Sequence, residues 1–94
     1  MENGIEPGVV TGEEYRRLLS KCKRDSYALP AVNVVSTSTI NAVLEAAAKY
    51  KSDVIIQLSA GGAQFFGGPA MKDAKQAQLL GAISAARHVH TVAA

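Results

Sequence analysis

ALPAVNVVSTSTINAVLEAAAKYKSDVIIQL, residues 28–58, is the stretch that decides the fold. Its two ends, Ala28-Leu-Pro-Ala-Val-Asn-Val-Val35 and Asp53-Val-Ile-Ile-Gln-Leu58, are short apolar runs rich in Val and Ile, as buried strands are. Pro30 has no amide to donate and fits best near a strand's start. Between the runs, Ile40, Val43, Leu44 and Ala47 recur at i, i+3, i+4 and i+7, one stripe of an amphipathic helix. Ser36 to Thr39 offer N-cap oxygens at its start, and Lys49 and Lys51 suit the negative end of its dipole. Strand, helix and strand follow one another within about thirty residues, and a connection carrying a helix favours a parallel pair with a right-handed crossover.

Upstream, Thr11-Gly-Glu-Glu14 has the form of a capping box. Tyr15, Leu18, Leu19 and Cys22 behind it again keep the helical spacing, so the sequence predicts a helix over about residues 12–24. Downstream, residues 59–72 hold four glycines, one proline and the adjacent Phe65 and Phe66. This segment reads as a loop too long to be a plain connector, and loops of that length are often functional. A third helix is expected from about Asp73, with Leu79, Ala82, Ile83 and Ala86 on one face. It runs into Ala94 with no glycine or proline to stop it, a sign that the sequence continues. The order is one opening helix and two β/α units: a parallel α/β protein cut short, whose strands expect further strands beside them.

Composition narrows the class. Apolar residues make up 48% and charged residues 19%, the balance of a globular chain and not of a disordered one. A net charge of +2 is too small for a nucleic-acid surface. The densest basic group, Lys21, Lys23 and Arg24 with Arg16 and Arg17, is bracketed by Glu13, Glu14 and Asp25 and reads as a solvated helix face. A single cysteine, Cys22, permits no internal disulfide, and its place on the apolar stripe makes it a small buried residue. The acidic opening, Met1 to Gly8, is unlike a targeting peptide, and no apolar run approaches the ~20 residues that span a bilayer. The expected location is the cytoplasm.

Functional groups of parallel α/β proteins gather at the carboxyl ends of strands. Asn33 and Ser59 occupy those positions, one β-α-β unit apart, and so belong to one rim. An amide and a hydroxyl there, with the amides around Gly61 and Gly62, could hold a phosphate or a sugar hydroxyl; equally, Asn33 and Ser59 could only cap the turns that follow. Gly61-Gly62 is not followed by Lys-Ser or Lys-Thr, which excludes a nucleotide P-loop, and no strand precedes Gly4 to Gly12 to make a dinucleotide fingerprint. His88-Val-His90 could share a metal on a strand, but on a helix the two rings point ~200° apart, and the segment reads as helix. Ser36 to Thr39 lack an acid-base partner, so helix capping suffices for them; Phe65 and Phe66 read as core or lid packing.

Pro7-Gly-Val-Val-Thr-Gly12, Ala28-Leu-Pro-Ala-Val-Asn-Val34, Ser38-Thr-Ile-Asn-Ala-Val-Leu-Glu-Ala-Ala-Ala48, Val54-Ile-Ile-Gln-Leu-Ser-Ala-Gly-Gly-Ala63 and Leu80-Gly-Ala-Ile-Ser-Ala-Ala-Arg-His-Val-His90 resemble, in order, the opening of the class II, metal-dependent fructose-bisphosphate aldolases. The resemblance covers nearly all of the chain from Pro7 onward. It implies the N-terminal part of a (β/α)8 TIM barrel, a leading helix plus the first two β/α units, truncated before the third strand. It further implies a zinc-dependent lyase, dimeric when complete, that reversibly cleaves fructose 1,6-bisphosphate to dihydroxyacetone phosphate and glyceraldehyde 3-phosphate in glycolysis and gluconeogenesis. An Asn and a Ser at the ends of the first two strands bind the sugar-phosphate in that family, and they match Asn33 and Ser59. The family's His-Thr-Asp-His-type segment, with a metal ligand and the acid-base aspartate, belongs to the end of the third strand. The zinc ligands are therefore expected beyond Ala94; His88 and His90 match the preceding helix, and this chain alone is expected to be inactive. Its partners would be the sugar bisphosphate, the remainder of the barrel and a second copy of the complete enzyme. Two alternatives stand beside this one: a non-catalytic module that adds its exposed strand to another sheet, and a related phosphate-binding barrel such as a tagatose-bisphosphate aldolase.

Overall fold

β1 (Ala31–Asn33) and β2 (Ile55–Gln57) pair in parallel, with Ala31 opposite Ile55, Val32 opposite Ile56 and Asn33 opposite Gln57. The computed structural model that places them describes residues 8–93. Most of the opening segment read as unlike a targeting peptide, and Ala94, lie outside those residues. Pro30 sits just before β1 as its missing amide requires, and its carbonyl accepts Ile55 N–H at 2.8 Å. The two strands are three residues long each, shorter than the apolar runs that contain them. They are also not buried: Val32 is 36% and Ile55 44% exposed. A parallel sheet is normally covered on both faces. Here neither outer edge has a partner strand among the described residues, so ladder and burial both stop short.

Between the strands runs α2 (Thr37–Lys49). Ser36 and Thr39 close a reciprocal capping box at its start: Ser36 Oγ accepts from Thr39 N–H at 3.2 Å, and Thr39 Oγ1 accepts from Ser36 N–H at 3.0 Å. Ile40, first of the predicted stripe, is fully buried, and Val43 and Leu44 pack around the same cluster. α1 (Gly12–Arg24) has the predicted span. Its predicted capping box does not form, because Thr11 makes no side-chain cap bond. Gly12 at the first helical position has φ +59°, a left-handed entry that carries the Thr11 side chain away from the N3 amide. Of its stripe, Leu18 and Cys22 are buried against Val10 and Leu29, while Tyr15 and Leu19 remain exposed. Arg16–Glu13 and Arg24–Asp25 are exposed ion pairs, the solvated face that the charge pattern predicts.

The segment expected to be a long loop contains a helix, α3 (Ala60–Gly67). Ser59 is its N-cap, and Gly68, at φ +95°, ends it by donating to Gln64 O and Phe65 O. Phe66 packs into the core as expected, but Phe65 is 69% exposed. After a short turn comes α4 (Ala74–Ala93), whose first turn Asp73 caps through Lys75 N–H at 3.0 Å. Leu79, Ala82, Ile83 and Ala86 do not form a buried face; α4 turns Ala77, Gly81 and Ala85 inward instead. Small residues win because α3 lies directly on that side. A methyl on Gly81 would fall on the Ala63 carbonyl, and one on Gly67 on the Ala77 carbonyl. The main core, Val34, Ile40 and Ala85 with Ile56, Leu58, Phe66 and Val89, thus gathers residues from the strand ends, α2, α3 and α4.

Candidate functional site

Parallel strands run in one direction, so both carboxyl ends lie at the same edge of the sheet. Asn33 closes β1 opposite Gln57, which closes β2, and Ser59 stands two residues beyond Gln57. One more ladder bond follows, Val34 N–H to Gln57 O at 3.0 Å. Val34 then plunges into the core at 1% exposure and pins the end of β1. Asn33, one residue earlier, is exposed and makes no side-chain hydrogen bond among the described residues. The rim predicted from the spacing is therefore present, with the amide of Asn33 unengaged upon it.

Ser59 is placed by α3. Its Oγ accepts from Gly62 N–H at 3.0 Å and its carbonyl from Ala63 N–H at 2.8 Å, the first turn of the helix. Capping, the plainer of the two roles open to Ser59, is thus real. It uses an acceptor lone pair and leaves the hydroxyl proton without an acceptor among the described residues, free to be donated outward. Of the amides around the glycine pair, that of Gly62 is engaged inside the turn. Ser36 and Thr39 satisfy one another and the backbone, Thr39 donating to Ser36 O at 2.9 Å, so neither is poised as a nucleophile.

What the rim offers chemically is hydrogen bonding: a carboxamide and a hydroxyl proton suited to phosphate or sugar oxygens. Nothing in it transfers a proton. No carboxylate or imidazole is hydrogen-bonded to Asn33 or Ser59 among the described residues. His88 and His90 lie two positions apart on α4, as the helical reading requires, and His88 Nε2 stands 2.8 Å from Asn41 Oδ1, tying α4 to α2. No group of three or more His, Cys, Asp or Glu able to hold a metal occurs among the described residues. The residues present do not fit a zinc centre.

Away from the rim, on one face of the sheet, a hollow of about 1430 Å³ opens between α1, the strands and α4, lined by Leu18, Leu44, Ile56, Leu58, Ala85 and Val89 among others. Neither Asn33 nor Ser59 lines it. Near its α1 end, the Tyr27 hydroxyl is held above its usual pKa, first by a hydrogen bond with the Cys22 side chain and then by desolvation. The walls of the hollow are mainly apolar, with Lys21, Lys51, Ser52, Asp53 and His90 also lining it. Among the described residues, no helix is long and apolar enough to cross a membrane.

Sequence reasoning missed α3, and with it the tie between Ser59 and Gly62. Ser59 as an N-cap and Gly67-Gly68 as a stop were the available signal.

A family model described as fructose-bisphosphate aldolase class-II matches residues 13–94. The fructose-bisphosphate aldolase class 2 of Escherichia coli (strain K12) is 52% identical over 91 residues, which are 95% of this chain and 25% of that protein. A fructose-bisphosphate aldolase of Campylobacter jejuni (serotype O:2) is 49% identical over 89 residues, covering 95% of this chain and 24% of that protein. The 1.85 Å crystal structure of the fructose-bisphosphate aldolase from Campylobacter jejuni superposes with a TM-score of 0.86 at 48% identity, over 95% of this chain and 25% of that one. The chain spans about a quarter of the length of the curated relatives it matches.

Proposed function

The chain belongs to the class-II fructose-bisphosphate aldolase family, and from that premise we propose that it forms the N-terminal quarter of an enzyme that reversibly cleaves fructose 1,6-bisphosphate to dihydroxyacetone phosphate and glyceraldehyde 3-phosphate. Its leading helix and two parallel β/α units are the opening of a (β/α)8 barrel, and the complete enzyme is a zinc-dependent, cytoplasmic homodimer of glycolysis and gluconeogenesis. The observation that supports the reading is that Asn33 ends β1 and Ser59 follows the end of β2 at one edge of the parallel pair, each with hydrogen-bonding capacity directed to no other described residue. Their role is to hold the sugar-phosphate: Asn33 through its carboxamide, Ser59 through the proton its capping bond leaves free. The metal ligands and the acid-base group belong to the remaining three quarters of the enzyme, so this chain contributes binding and orientation and no proton transfer.

The test is made in the full-length enzyme, this chain continued by those three quarters. Ser59→Ala and Asn33→Ala each remove hydrogen bonds to a charged ligand, worth typically about 1.5–3 kcal/mol. Steady-state kinetics should show kcat/KM lowered roughly ten- to a hundred-fold in each variant if that loss is felt in the transition state. The barrel should stay folded by circular dichroism. Unchanged kinetics in both would return Ser59 to helix capping and Asn33 to the solvated surface.

A further inference from the structure

Gly61 and Gly62 are neighbours in sequence and opposites in environment. A methyl built on Gly61 meets nothing within 4 Å. One built on Gly62, which is buried, stands 3.0 Å from the Val34 carbonyl oxygen, 3.3 Å from Ser59 Oγ and 3.6 Å from Val35 Cγ1. Close carbon–oxygen approaches in proteins run at about 3.3–3.6 Å, so the Val34 contact is tighter than a methyl tolerates without movement. Only a hydrogen fits between the first turn of α3 and the backbone that follows Asn33. The same residue donates its N–H to Ser59 Oγ at 3.0 Å. Gly62 therefore governs two quantities together: where the Ser59 hydroxyl stands, and how near it stands to the end of β1.

We propose that Gly62 is a positioning residue of the sugar-phosphate site, setting the Ser59 hydroxyl against the rim that carries Asn33. This rests on the reading of Ser59 given above. A methyl at residue 62 pushes the capped turn and the Val34 carbonyl apart by a few tenths of an ångström, moving the donor off its ligand while leaving Ser59 chemically intact.

The experiment is a double-mutant cycle in the full-length enzyme, reading kcat, KM and thermal midpoint for Gly62→Ala, Ser59→Ala and the pair, with Gly61→Ala as a stability control. Since a 1 Å misplacement costs on the order of a hundredfold, Gly62→Ala should lower kcat/KM about three- to tenfold, chiefly through KM. In the Ser59→Ala background it should cost nothing further, because the group it positions is gone. Gly61→Ala should keep or raise the thermal midpoint, its methyl meeting open space. Wild-type kinetics for Gly62→Ala, a loss that multiplies with that of Ser59→Ala, or a Gly62→Ala enzyme that does not fold would each overturn the proposal and assign the glycine to packing alone. Wild-type kinetics in Ser59→Ala by itself would mark a different failure, that of Ser59 as a ligand-binding group, and would end the positioning role with it.

Discussion

Expressed alone and supplied with zinc, cobalt or manganese, the 94-residue chain will show no cleavage of fructose 1,6-bisphosphate in a coupled assay that detects triose phosphate. The expected effect is the whole of the catalysis. Enzymes of every class owe at least about a millionfold of rate to groups arranged around the reacting atoms. The polar side chains at its rim, Asn33, Ser59 and the exposed Gln57 that closes β2, are groups suited to binding, and no carboxylate or imidazole is hydrogen-bonded to Asn33 or Ser59 among the described residues. Described carboxylates and imidazoles form no cluster of three for a metal, and the imidazole of His88 is turned to Asn41. Binding groups without a reacting centre lower no barrier. Metal-dependent cleavage that a chelator abolishes, from the purified chain, would overturn this and require a reacting centre within these residues.

The second large effect is physical. On its own the chain should self-associate, eluting from size exclusion well above its 9.8 kDa mass and unfolding on heating over a broad, shallow range. Among the described residues the fully buried large side chains are Ile40 and Val34, and the radius of gyration, 14.6 Å, exceeds the ~13 Å of a compact domain of about this length. Leu79 is 65% and Phe65 69% exposed, the strands show Val32 and Ile55 to solvent, and both sheet edges lack a partner among the described residues. Apolar surface beside unpaired backbone amides is the combination that recruits strands from other molecules. Helices alone cannot rescue the chain, since most helical stability comes from packing. A sharp two-state transition from a monomer would show that these residues enclose a sufficient core, and a self-standing binding module would then be the better description.

The sequence was most legible where local signals and tertiary demand agree. The stripe Ile40, Val43, Leu44 and Ala47 and the Ser36–Thr39 cap define α2, and Pro30 marks the start of β1 to within a residue. The rim of Asn33 and Ser59 followed from topology alone, because parallel strands one unit apart must end together. Elsewhere tertiary contact overrode pattern. α3 holds three glycines, Gly61, Gly62 and Gly67, and the two in its interior each disfavour helix by about 1 kcal/mol relative to alanine, so the segment read as loop. It is helical because Ser59 caps it and because Gly67 and Gly81 admit the backbones of α3 and α4 to one another. The same approach bears on which face of α4 turns inward: at Ala77 and Gly81 the α3 backbone comes too close for side chains the size of Leu79 or Ile83, which stay outside. At Thr11 the motif was right in letters and failed in dihedrals, since the glycine that follows enters the helix from the left-handed region.

The close seating of α3 on α4 also bears on the order in which this polypeptide assembles. Gly67 meets Ala77 and Gly81 meets Ala63 across short stretches of chain, whereas pairing Ala31 with Ile55 requires a whole helix to be folded back first. Contacts between near neighbours cost little loop entropy and form early, while parallel strand pairs come late. Closing a loop of about ten residues takes tens of nanoseconds, against a residue added every ~50–200 ms by the ribosome. The α3–α4 hairpin can therefore be docked as soon as α4 clears the exit tunnel. Ser59, at its head, is from that moment fixed to a rigid element.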